Sequence, residues 1–214
     1  MRPEATTREE RIRQRSAERR SVQRAERRRS ILDAAATLFL EHGYERFSLR
    51  QVAEEIGYSP TTIYLYFSDK DDLLFHVAMD GFGRFGEELQ EACDGASEPL
   101  EKLAAIGEAY VEFGLTNPVH YRLMFMQRGE FLEREPPEGY ESVIDSFGIL
   151  TRTVEECLEA GVIEDGDTLA YAAMIWAAVH GVVALAIATP YLEYERALAV
   201  HRLTARSLIH GIRS

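Results

Sequence analysis

The chain has little of what stabilises small secreted domains or builds zinc and redox sites. Only two cysteines occur among its 214 residues, Cys93 and Cys157, and they form no C-x-x-C motif. A chain of this length buries a core that needs no disulfide. The first residues are charged and contain no apolar stretch typical of a secretory signal. These absences argue against a zinc ribbon, a thioredoxin-like site or a secreted disulfide framework, and they predict a protein of the reducing cytoplasm.

Signatures of catalysis are absent as well. The chain contains no P-loop, no G-x-G-x-x-G, no G-x-S-x-G and no H-E-x-x-H. Its 6 histidines have no tight metal-ligand spacing, although convergence of several of them in the fold stays open. The carboxylates of the segment DKDD, residues 69–72, stand where the N-terminus of a helix attracts acidic side chains. The sequence therefore predicts no enzyme, no metal and no cofactor.

The chain also lacks an overall positive charge, because 24 Lys and Arg face 36 Asp and Glu, for a formal net charge of −12. The average hides a division between two parts. Residues 1–70 contain 14 basic and 11 acidic side chains, whereas residues 71–214 contain 10 basic and 25 acidic ones. Because DNA binding requires Lys and Arg to neutralise phosphates, this asymmetry indicates a nucleic-acid-binding N-terminal part and a body with another role.

One segment, Thr168 to Leu192, contains no Asp, Glu, Lys or Arg and is long enough to cross a bilayer. It is rich in alanine, it has His180 near its middle, and acidic residues flank it where basic anchors are expected for a membrane span. We interpret it as a helix buried on nearly all sides, with a membrane span as the alternative. No membrane is predicted as a partner.

The apolar residues recur at the helical period almost throughout, and no segment shows the alternation of a β-strand. The predicted fold is all-α, with an N-terminal three-helix helix-turn-helix DNA-binding domain and a larger helical domain for ligand binding and dimerisation. We assign residues 1–23 to an Arg-rich arm or helical extension, 24–70 to the DNA-binding domain and 71–214 to the effector-binding and dimerisation domain. A solvated helix and an arm that contacts DNA both stay open for residues 1–23.

Cap signals delimit the helices of the N-terminal domain. The first firm helix is predicted from about Arg24 to His42, with Gly43 in the position of a left-handed C-cap. Ser48 caps a short second helix that Gly57 ends, and Ser59 caps a third helix with proline in its first position. Two short helices joined by a glycine-containing turn and braced by a longer one form a helix-turn-helix unit.

The third helix has a distinct outer face. Ile63 and Phe67 lie four residues apart and are predicted to face the core, with Ser68 and Asp71 forming a capping box for the next helix. The residues left outside are Thr61, Thr62, Tyr64, Leu65 and Tyr66. Threonine and tyrosine hydroxyls can form hydrogen bonds with bases and phosphates, although partial burial of Tyr64 against the first helix stays open.

Two basic residues on the neighbouring helices are further candidates. Arg50 can make a bidentate contact with guanine, and Lys70 can bind a phosphate.

The body is predicted to contain further helices near Glu98–Leu115, Pro118–Gln127, Tyr140–Ala160, Asp167–Ala188 and Tyr194–Ile212. Gly161 and Pro190 are predicted to end two of them, and the clearest break is the loop EREPPE at Glu133–Glu138.

These motifs resemble the DNA-binding domain of the tetracycline-repressor (TetR) family. The similar segments are A-x-x-L-F at Ala35–Phe39, V-A-E-E-I-G at Val52–Gly57 and SPTTIYLYFSDKDDL at Ser59–Leu73. The resemblance implies an all-α homodimer that binds a palindromic operator in double-stranded DNA. It implies base contacts from Arg50, Thr61, Thr62, Tyr64 and Leu65, and phosphate contacts from Ser48, Tyr66 and Lys70.

The body resembles the subgroup of this family whose C-terminal domain is named for a Trp-His-Gly (WHG) motif. The similar segments are Y-R-L-M-F at Tyr121–Phe125 and W-x-x-x-H-G at Trp176–Gly181. This resemblance implies that the last two long helices pair with their copies in a four-helix dimer interface. Such an interface would cover the uncharged segment without a membrane.

Aromatic and sulfur-bearing residues of the body suggest a small-molecule pocket between helices. The candidate effector-binding residues are Phe113, His120, Tyr121, Met124, Phe125, Phe147, Trp176 and His180, with Tyr110 and Met174 near them. Plain core packing is the alternative for each. The sequence thus predicts a ligand-responsive transcriptional repressor that an apolar or amphipathic effector releases from its operator, or else a DNA-binding regulator that a protein partner controls.

Overall fold

The structure, a computed structural model, describes residues 8–126, 145–189 and 191–213, without the side chains of residues 9–12. Within these ranges every regular element is helical. The helices are α1 (Arg8–Arg46), α2 (Leu49–Glu55), α3 (Pro60–Tyr64), α4 (Lys70–Asp94), α5 (Pro99–Thr116), α6 (Pro118–Tyr121), α7 (Ser146–Glu159), α8 (Thr168–Ala188) and α9 (Tyr194–Ile212). The chain divides into two compact units, Met1–Val77 and Ala78–Ser214.

Helix α1 begins far before the first predicted firm helix and contains a break near its end. Gly43 has φ 69° and ψ 173° inside it, a conformation that ends the regular helix there. Gly57, after α2, also has φ 69°. Glycine adopts this left-handed region without the steric cost that a Cβ imposes, and both glycines confirm the predicted helix ends. Residues 8–23 are helical and continuous with the rest of α1.

The short helices are capped as predicted. The Ser48 hydroxyl oxygen accepts a hydrogen bond from the backbone N–H of Gln51, and the Ser59 oxygen accepts one from that of Thr62. Helix α3 is only 5 residues long, and Leu65 and Tyr66 follow it in a turn. A side-chain cap satisfies one of the N–H groups that a helix start leaves unpaired, which matters most for so short an element.

The start of α4 differs from the predicted capping box. The Asp69 carboxylate accepts the backbone N–H of Asp72 at 2.7 Å, and the Asp72 carboxylate accepts the backbone N–H of Ser68 at 2.7 Å. The box is therefore shifted by one residue, with Asp69 in the capping position in place of Ser68. An ionised carboxylate is the stronger acceptor for the positive end of a helix, which explains the shift.

The core of the first unit is made by α1, α2 and α3 together with the first residues of α4. Its fully buried members are Ile31, Ala35, Val52, Ala53, Ile63, Leu73, Leu74 and Val77, each 0% exposed, and Phe67 at 1%. Ile63 and Phe67 therefore face inward as predicted, and this assigns the remaining side chains of α3 to its outer face.

The second unit contains the rest of α4 and the helices α5 to α9. Arg122–Met126 continue α6 as a π-helical turn. One apolar cluster includes Phe85, Tyr110, Phe113, Tyr121 and Val183, and another lies around Leu103, Val154, Cys157 and Ile163. The predicted body helices are confirmed to within a few residues where the structure describes them. The predicted Glu133–Glu138 break, Gln127, residues 140–144 and the stop at Pro190 lie outside the described residues.

Helix α8 is less buried than predicted. Its Ala172, Ile175, Val179, Val182 and Val183 are buried. By contrast, Leu169 is 63% exposed and Leu185 57%. By length and composition α8 qualifies as a membrane-crossing helix. The expectation of burial on nearly all sides is wrong for the single chain, because neighbouring helices cover only one of its faces.

We predict that Gly114→Ala disrupts the packing of α5 against α8. A methyl group on Gly114 would overlap the Val183 side chain and lie 3.0 Å from Tyr121 Cδ2. Both neighbours are 0% exposed, and a β-branched valine has few other rotamers. Overpacking of this kind costs about 1–3 kcal/mol, so urea unfolding should show a loss of that size in the free energy of unfolding.

Gly211→Ala in α9 is the matched control. It adds the same methyl group to a helix where no atom lies within 4 Å. Replacement of an open helical glycine by alanine is expected to raise stability by up to about 1 kcal/mol. A Gly114→Ala protein as stable as the wild type would contradict the tight helix crossing.

Candidate DNA-binding surface and effector cavity

The outer face of α3 presents large side chains to solvent. Tyr64 is 57% exposed and Leu65, directly after the helix, is 72% exposed. Thr61 is exposed too, and Thr62 and Tyr66 are half-buried. The exposure of Tyr64 disfavours its partial burial against α1. An exposed apolar and aromatic surface on a capped, protruding helix is unusual for a solvated face and is typical of a binding surface.

Thr62 and Ser59 form a local pair at the start of α3. Their side-chain oxygens lie 2.9 Å apart, and the Ser59 oxygen also accepts the Thr62 backbone N–H at 3.2 Å. The pair holds the Thr62 hydroxyl in one place before any partner arrives. A preorganised hydroxyl loses less freedom when it binds.

Arg50 and Ser48 lie at the start of α2. Arg50 is exposed and occupies the second position of the helix. The Ser48 hydroxyl donates to Gln51 Oε1 at 2.8 Å while its oxygen caps the helix. The Arg50 guanidinium is thus available to a partner, whereas the Ser48 hydroxyl already makes hydrogen bonds within α2.

Lys70 contacts Tyr44, which follows the break in α1. Its Nζ lies 3.8 Å from the centre of the Tyr44 ring and donates to the Tyr44 carbonyl oxygen at 3.3 Å. The Tyr44 hydroxyl in turn donates to Asp71 Oδ1 at 2.6 Å. These contacts place the Lys70 charge at the N-terminus of α4, where free N–H groups favour an anion.

Two arginines of α1 contact the segment after α3, which sequence reasoning did not predict. The Arg24 guanidinium carbon lies 5.8 Å from the centre of the Tyr66 ring, and that of Arg28 lies 5.5 Å from the centre of the Phe67 ring. Arg28 Nη2 is also 2.8 Å from His76 Nδ1. The spacing could have indicated these contacts. Arg24 and Arg28 lie seven residues before the core residues Ile31 and Ala35, and therefore on the same face of α1.

The second unit encloses a cavity of about 220 Å³ among α4, α5, α7 and α8. Its lining residues are Phe82, Phe85, Leu89, Ile106, Gly107, Tyr110, Phe125, Ser146, Phe147, Leu150, Ile175, Trp176 and Val179. None of them is charged. The side chains with polar atoms are those of Tyr110, Ser146 and Trp176, and the buried Ser146 hydroxyl has no hydrogen-bond partner among the described residues.

The predicted effector residues are distributed over three places. Phe125, Phe147 and Trp176 line the cavity. Phe113, Tyr121 and Met124 are buried in the adjoining core, and His180 contacts Tyr121 there. His120 lies elsewhere, with its ring nitrogens 3.0 and 3.1 Å from Arg84 Nη2. Phe82, Phe85 and Leu89 of α4 also line the cavity and were not predicted, because their helical spacing indicates a buried face but does not distinguish a core from a cavity.

A buried polar network adjoins the cavity. Trp176 Nε1 donates to the Tyr110 hydroxyl oxygen at 3.1 Å, and the hydroxyls of Tyr110 and Tyr121 lie 2.9 Å apart. The Tyr121 oxygen is 2.6 Å from His180 Nδ1. A neutral His180 with its proton on Nε2 gives a consistent set of donors, since Tyr110 then donates to Tyr121 and Tyr121 donates to Nδ1.

Burial governs the titration of this network. It raises the pKa of Tyr110 to about 12, although the hydrogen bonds with Tyr121 and Trp176 oppose the rise. Burial also raises the pKa of Tyr121, with further contributions from Tyr110. Burial lowers the pKa of His180. All three shifts favour the neutral forms that the hydrogen-bond pattern requires.

We predict that the lowered pKa of His180 makes stability depend on pH. Burial also lowers the pKa of His201, with Glu108 opposing and Arg202 reinforcing the effect. The unfolded chain therefore takes up more protons at these sites once the pH falls below about 6.5. The stabilisation is present above that pH and is lost as the pH falls through the folded-state pKa values. Urea unfolding at several pH values measures the loss.

The pH dependence should become weaker in His180→Asn and in His201→Asn, because each variant lacks one titrating imidazole. His210→Asn is the control, since His210 is exposed. An identical pH dependence in all three variants and the wild type would rule out the two buried histidines as its source.

Two family models match the chain. The model described as "Bacterial regulatory proteins, tetR family" matches residues 31–77, and the model described as "Tetracyclin repressor-like, C-terminal domain" matches residues 103–208. The first covers α2, α3 and the Ile31–Arg46 part of α1, and the second covers most of the unit that contains the cavity. The Trp-His-Gly subgroup stays a prediction.

Curated proteins and solved structures agree with these matches. The fatty acid metabolism regulator protein of Bacillus subtilis is 31% identical over 144 residues, 64% of this chain and 70% of that protein. The regulator HbdR of Aromatoleum sp. is 38% identical over 85 residues, 40% of this chain and 37% of HbdR. The crystal structure of the transcriptional regulator FadR from Bacillus subtilis in complex with stearoyl-CoA has a TM-score of 0.72 at 23% identity, covering 86% of this chain and 98% of FadR.

The helix-turn-helix unit, the all-α body and the relatives lead to one conclusion. The chain belongs to the tetracycline-repressor (TetR) family of bacterial transcriptional regulators.

Proposed function

We propose that the protein is a ligand-responsive repressor that binds a palindromic operator as a homodimer and is released by a small apolar or amphipathic effector. The DNA-binding part is assigned to residues 24–70, and effector binding and dimerisation to residues 71–214. Such a regulator acts in the cytoplasm, where the DNA is. The observation that carries the proposal is the exposed face of α3 on a capped helix-turn-helix unit.

The roles on DNA follow from side-chain chemistry. Arg50, Thr61, Thr62, Tyr64 and Leu65 are assigned to the bases, and Ser48, Tyr66 and Lys70 to the phosphates. The fork of the Arg50 guanidinium suits the O6 and N7 atoms of guanine. Threonine methyl groups and Leu65 suit the thymine methyl group. The exposure of Arg50, Thr61, Tyr64 and Leu65 supports this assignment.

Dimerisation is assigned to α8 and α9. Exposed apolar residues occur on both helices, with Leu169, Trp176 and Leu185 on α8 and Val200 and Leu203 on α9. Large apolar surface exposed in one chain indicates a contact with another. A second copy of the same helices would cover this surface in a symmetric interface.

The cavity supports an effector with an apolar body. Its lining is mostly aliphatic and aromatic, and the Ser146 hydroxyl, which has no hydrogen-bond partner among the described residues, offers one polar contact. One relative is named for fatty acid metabolism, and a similar structure holds stearoyl-CoA. We therefore propose that an acyl or comparable aliphatic chain occupies the cavity. The effector lowers DNA affinity only if it binds the DNA-free conformation more tightly than the DNA-bound one.

Selection of bound duplexes from a random library by the purified protein tests the proposal. A dimeric repressor should enrich a palindromic sequence. Its affinity for that sequence should fall steeply as the salt concentration rises, and it should release the DNA when long-chain acyl compounds are added.

Enrichment of no sequence by folded protein would overturn the proposal. Enrichment of a palindrome that no acyl compound or other small metabolite releases would favour the alternative, a DNA-binding regulator controlled by a protein partner.

Substitutions should separate base contacts from phosphate contacts. Arg50→Ala or Thr62→Ala is expected to weaken binding of the selected operator by about 1–3 kcal/mol and to relax its sequence preference. Lys70→Ala is expected to weaken binding to all sequences and to lower the salt slope by about 1. Fluorescence anisotropy against the operator and a scrambled duplex measures both. A change of sequence preference alone in Lys70→Ala would reverse the assigned roles.

A further inference from the structure

The N-terminal half of α1 has a strongly basic composition that the proposed function does not use. Between residues 13 and 29 the helix contains 8 arginines and 2 glutamates. Arg13, Arg20 and Arg27 follow one another at intervals of seven residues, a spacing that returns to the same face of an α-helix within about 20°. Arg24 lies four residues after Arg20 and falls on the same side. We call Arg13, Arg20, Arg24 and Arg27 the basic stripe.

The basic stripe continues the face that α1 buries farther along. Seven residues after Arg24 comes Ile31, which is 0% exposed, and seven after Arg27 comes Ala34, which is 9% exposed. The same side of one helix is thus buried and apolar at Ile31 and Ala34, and exposed and basic farther toward the N-terminus. The four arginines of the stripe are all exposed.

Contacts connect the stripe with the candidate DNA-binding surface. Arg24 lies over the ring of Tyr66, and Arg28, beside the stripe, lies over the ring of Phe67. Tyr66 is one of the residues assigned to phosphates. The basic stripe therefore begins at the edge of the proposed interface and extends from it toward the N-terminus.

Arg13, Arg20 and Arg27 are exposed, whereas Arg24 contacts the ring of Tyr66. Among the side chains that the structure describes, Arg13, Arg20 and Arg27 make no ion pair, whereas Arg29, outside the stripe, has Asp33 with its Oδ1 3.8 Å from Nε. The helical period places Glu18 and Glu26 away from the stripe. A solvated Glu/Arg helix is expected to alternate its charges on each face, and between residues 13 and 29 this face carries arginine without glutamate.

We propose that the basic stripe binds the phosphate backbone of DNA beyond the half-site that α3 contacts. The inference rests on the proposed operator binding and adds to it a second contact region. From Arg24 to Arg13 the helix extends about 16 Å at about 1.5 Å per residue. Along a duplex with about 3.4 Å per base pair, this reaches about five base pairs of flanking DNA.

Two double variants with equal charge loss test the inference. Arg13→Gln with Arg20→Gln removes the two charges of the stripe that lie farthest from α3 along the helix, where the flanking DNA is expected. Arg15→Gln with Arg19→Gln removes the same charge from exposed arginines that the helical period turns away from the stripe. Affinity is measured against salt on two duplexes, the selected operator with about ten flanking base pairs on each side and the same operator without flanks. Circular dichroism checks that both variants keep their helix content.

The wild type and the Arg15/Arg19 variant should bind the flanked duplex more tightly than the trimmed one. The Arg13/Arg20 variant should bind both equally. On the flanked duplex its salt slope should be lower by about 1.8 per bound protomer, because each lost phosphate contact contributes about 0.9. When the salt concentration rises fourfold, the affinity of the wild type for the flanked duplex should therefore fall about tenfold more, per protomer, than the affinity of the Arg13/Arg20 variant.

Equal salt slopes for the two double variants would overturn the inference and identify the stripe as a solvated face. An Arg13/Arg20 variant that changes the oligomeric state, but keeps the flank preference, would also overturn it and indicate an acidic protein surface as the partner. These outcomes differ from a failure of the proposed function, in which the wild type itself would bind no operator.

Discussion

The burial of two side chains on a very short helix is the constraint on which the DNA-binding unit depends. Ile63 and Phe67 are 0% and 1% exposed, and they attach α3 and the turn after it to the core made by α1 and α2. A helix of 5 residues has too few internal hydrogen bonds to be stable alone. Tertiary packing and the Ser59 cap therefore hold it, and the same packing leaves Tyr64 and Leu65 no place except the surface.

The second unit combines an apolar cavity with a polar network beside it. The hydroxyls of Tyr110 and Tyr121, the Trp176 N–H and His180 Nδ1 form hydrogen bonds with one another. Buried polar groups are costly unless they are paired, so this network has one well-defined arrangement. Tyr110 and Trp176 also line the cavity. Their polar atoms are therefore already oriented by hydrogen bonds before a ligand binds there. Ser146 is the exception, since its buried hydroxyl has no hydrogen-bond partner in the part of the chain that the structure describes.

Helix α8 illustrates the limit of composition as a guide to environment. Its uncharged sequence suits a membrane, a protein core or a subunit interface equally well by hydropathy. In the structure one face packs in the core and the other exposes leucines. One-sided burial is unlike a core helix. It is consistent with the dimer interface proposed for α8 and α9.

Much of the architecture could be predicted from local signals. Gly43, Gly57, Ser48 and Ser59 end or begin helices through their own backbone or side-chain chemistry, so their effects are visible in sequence. The helical period assigned Ile63 and Phe67 inward and the rest of α3 outward. The capping box of α4 was misplaced by one residue because Ser68 and Asp69 both qualify as caps, and the choice depends on hydrogen bonds that the pattern does not contain.

The sequence by itself determined the all-α class, the helix-turn-helix unit and the identity of the residues on the outer face of α3, because each depends on interactions between near neighbours in the chain. Only the tertiary structure decided which aromatic residues surround a cavity and which fill a core, since Phe82, Phe125 and Trp176 come from distant helices. It also decided that Arg24 meets Tyr66 and that α8 is covered on one side alone. These features depend on how helices far apart in sequence pack together, and no local periodicity records that packing.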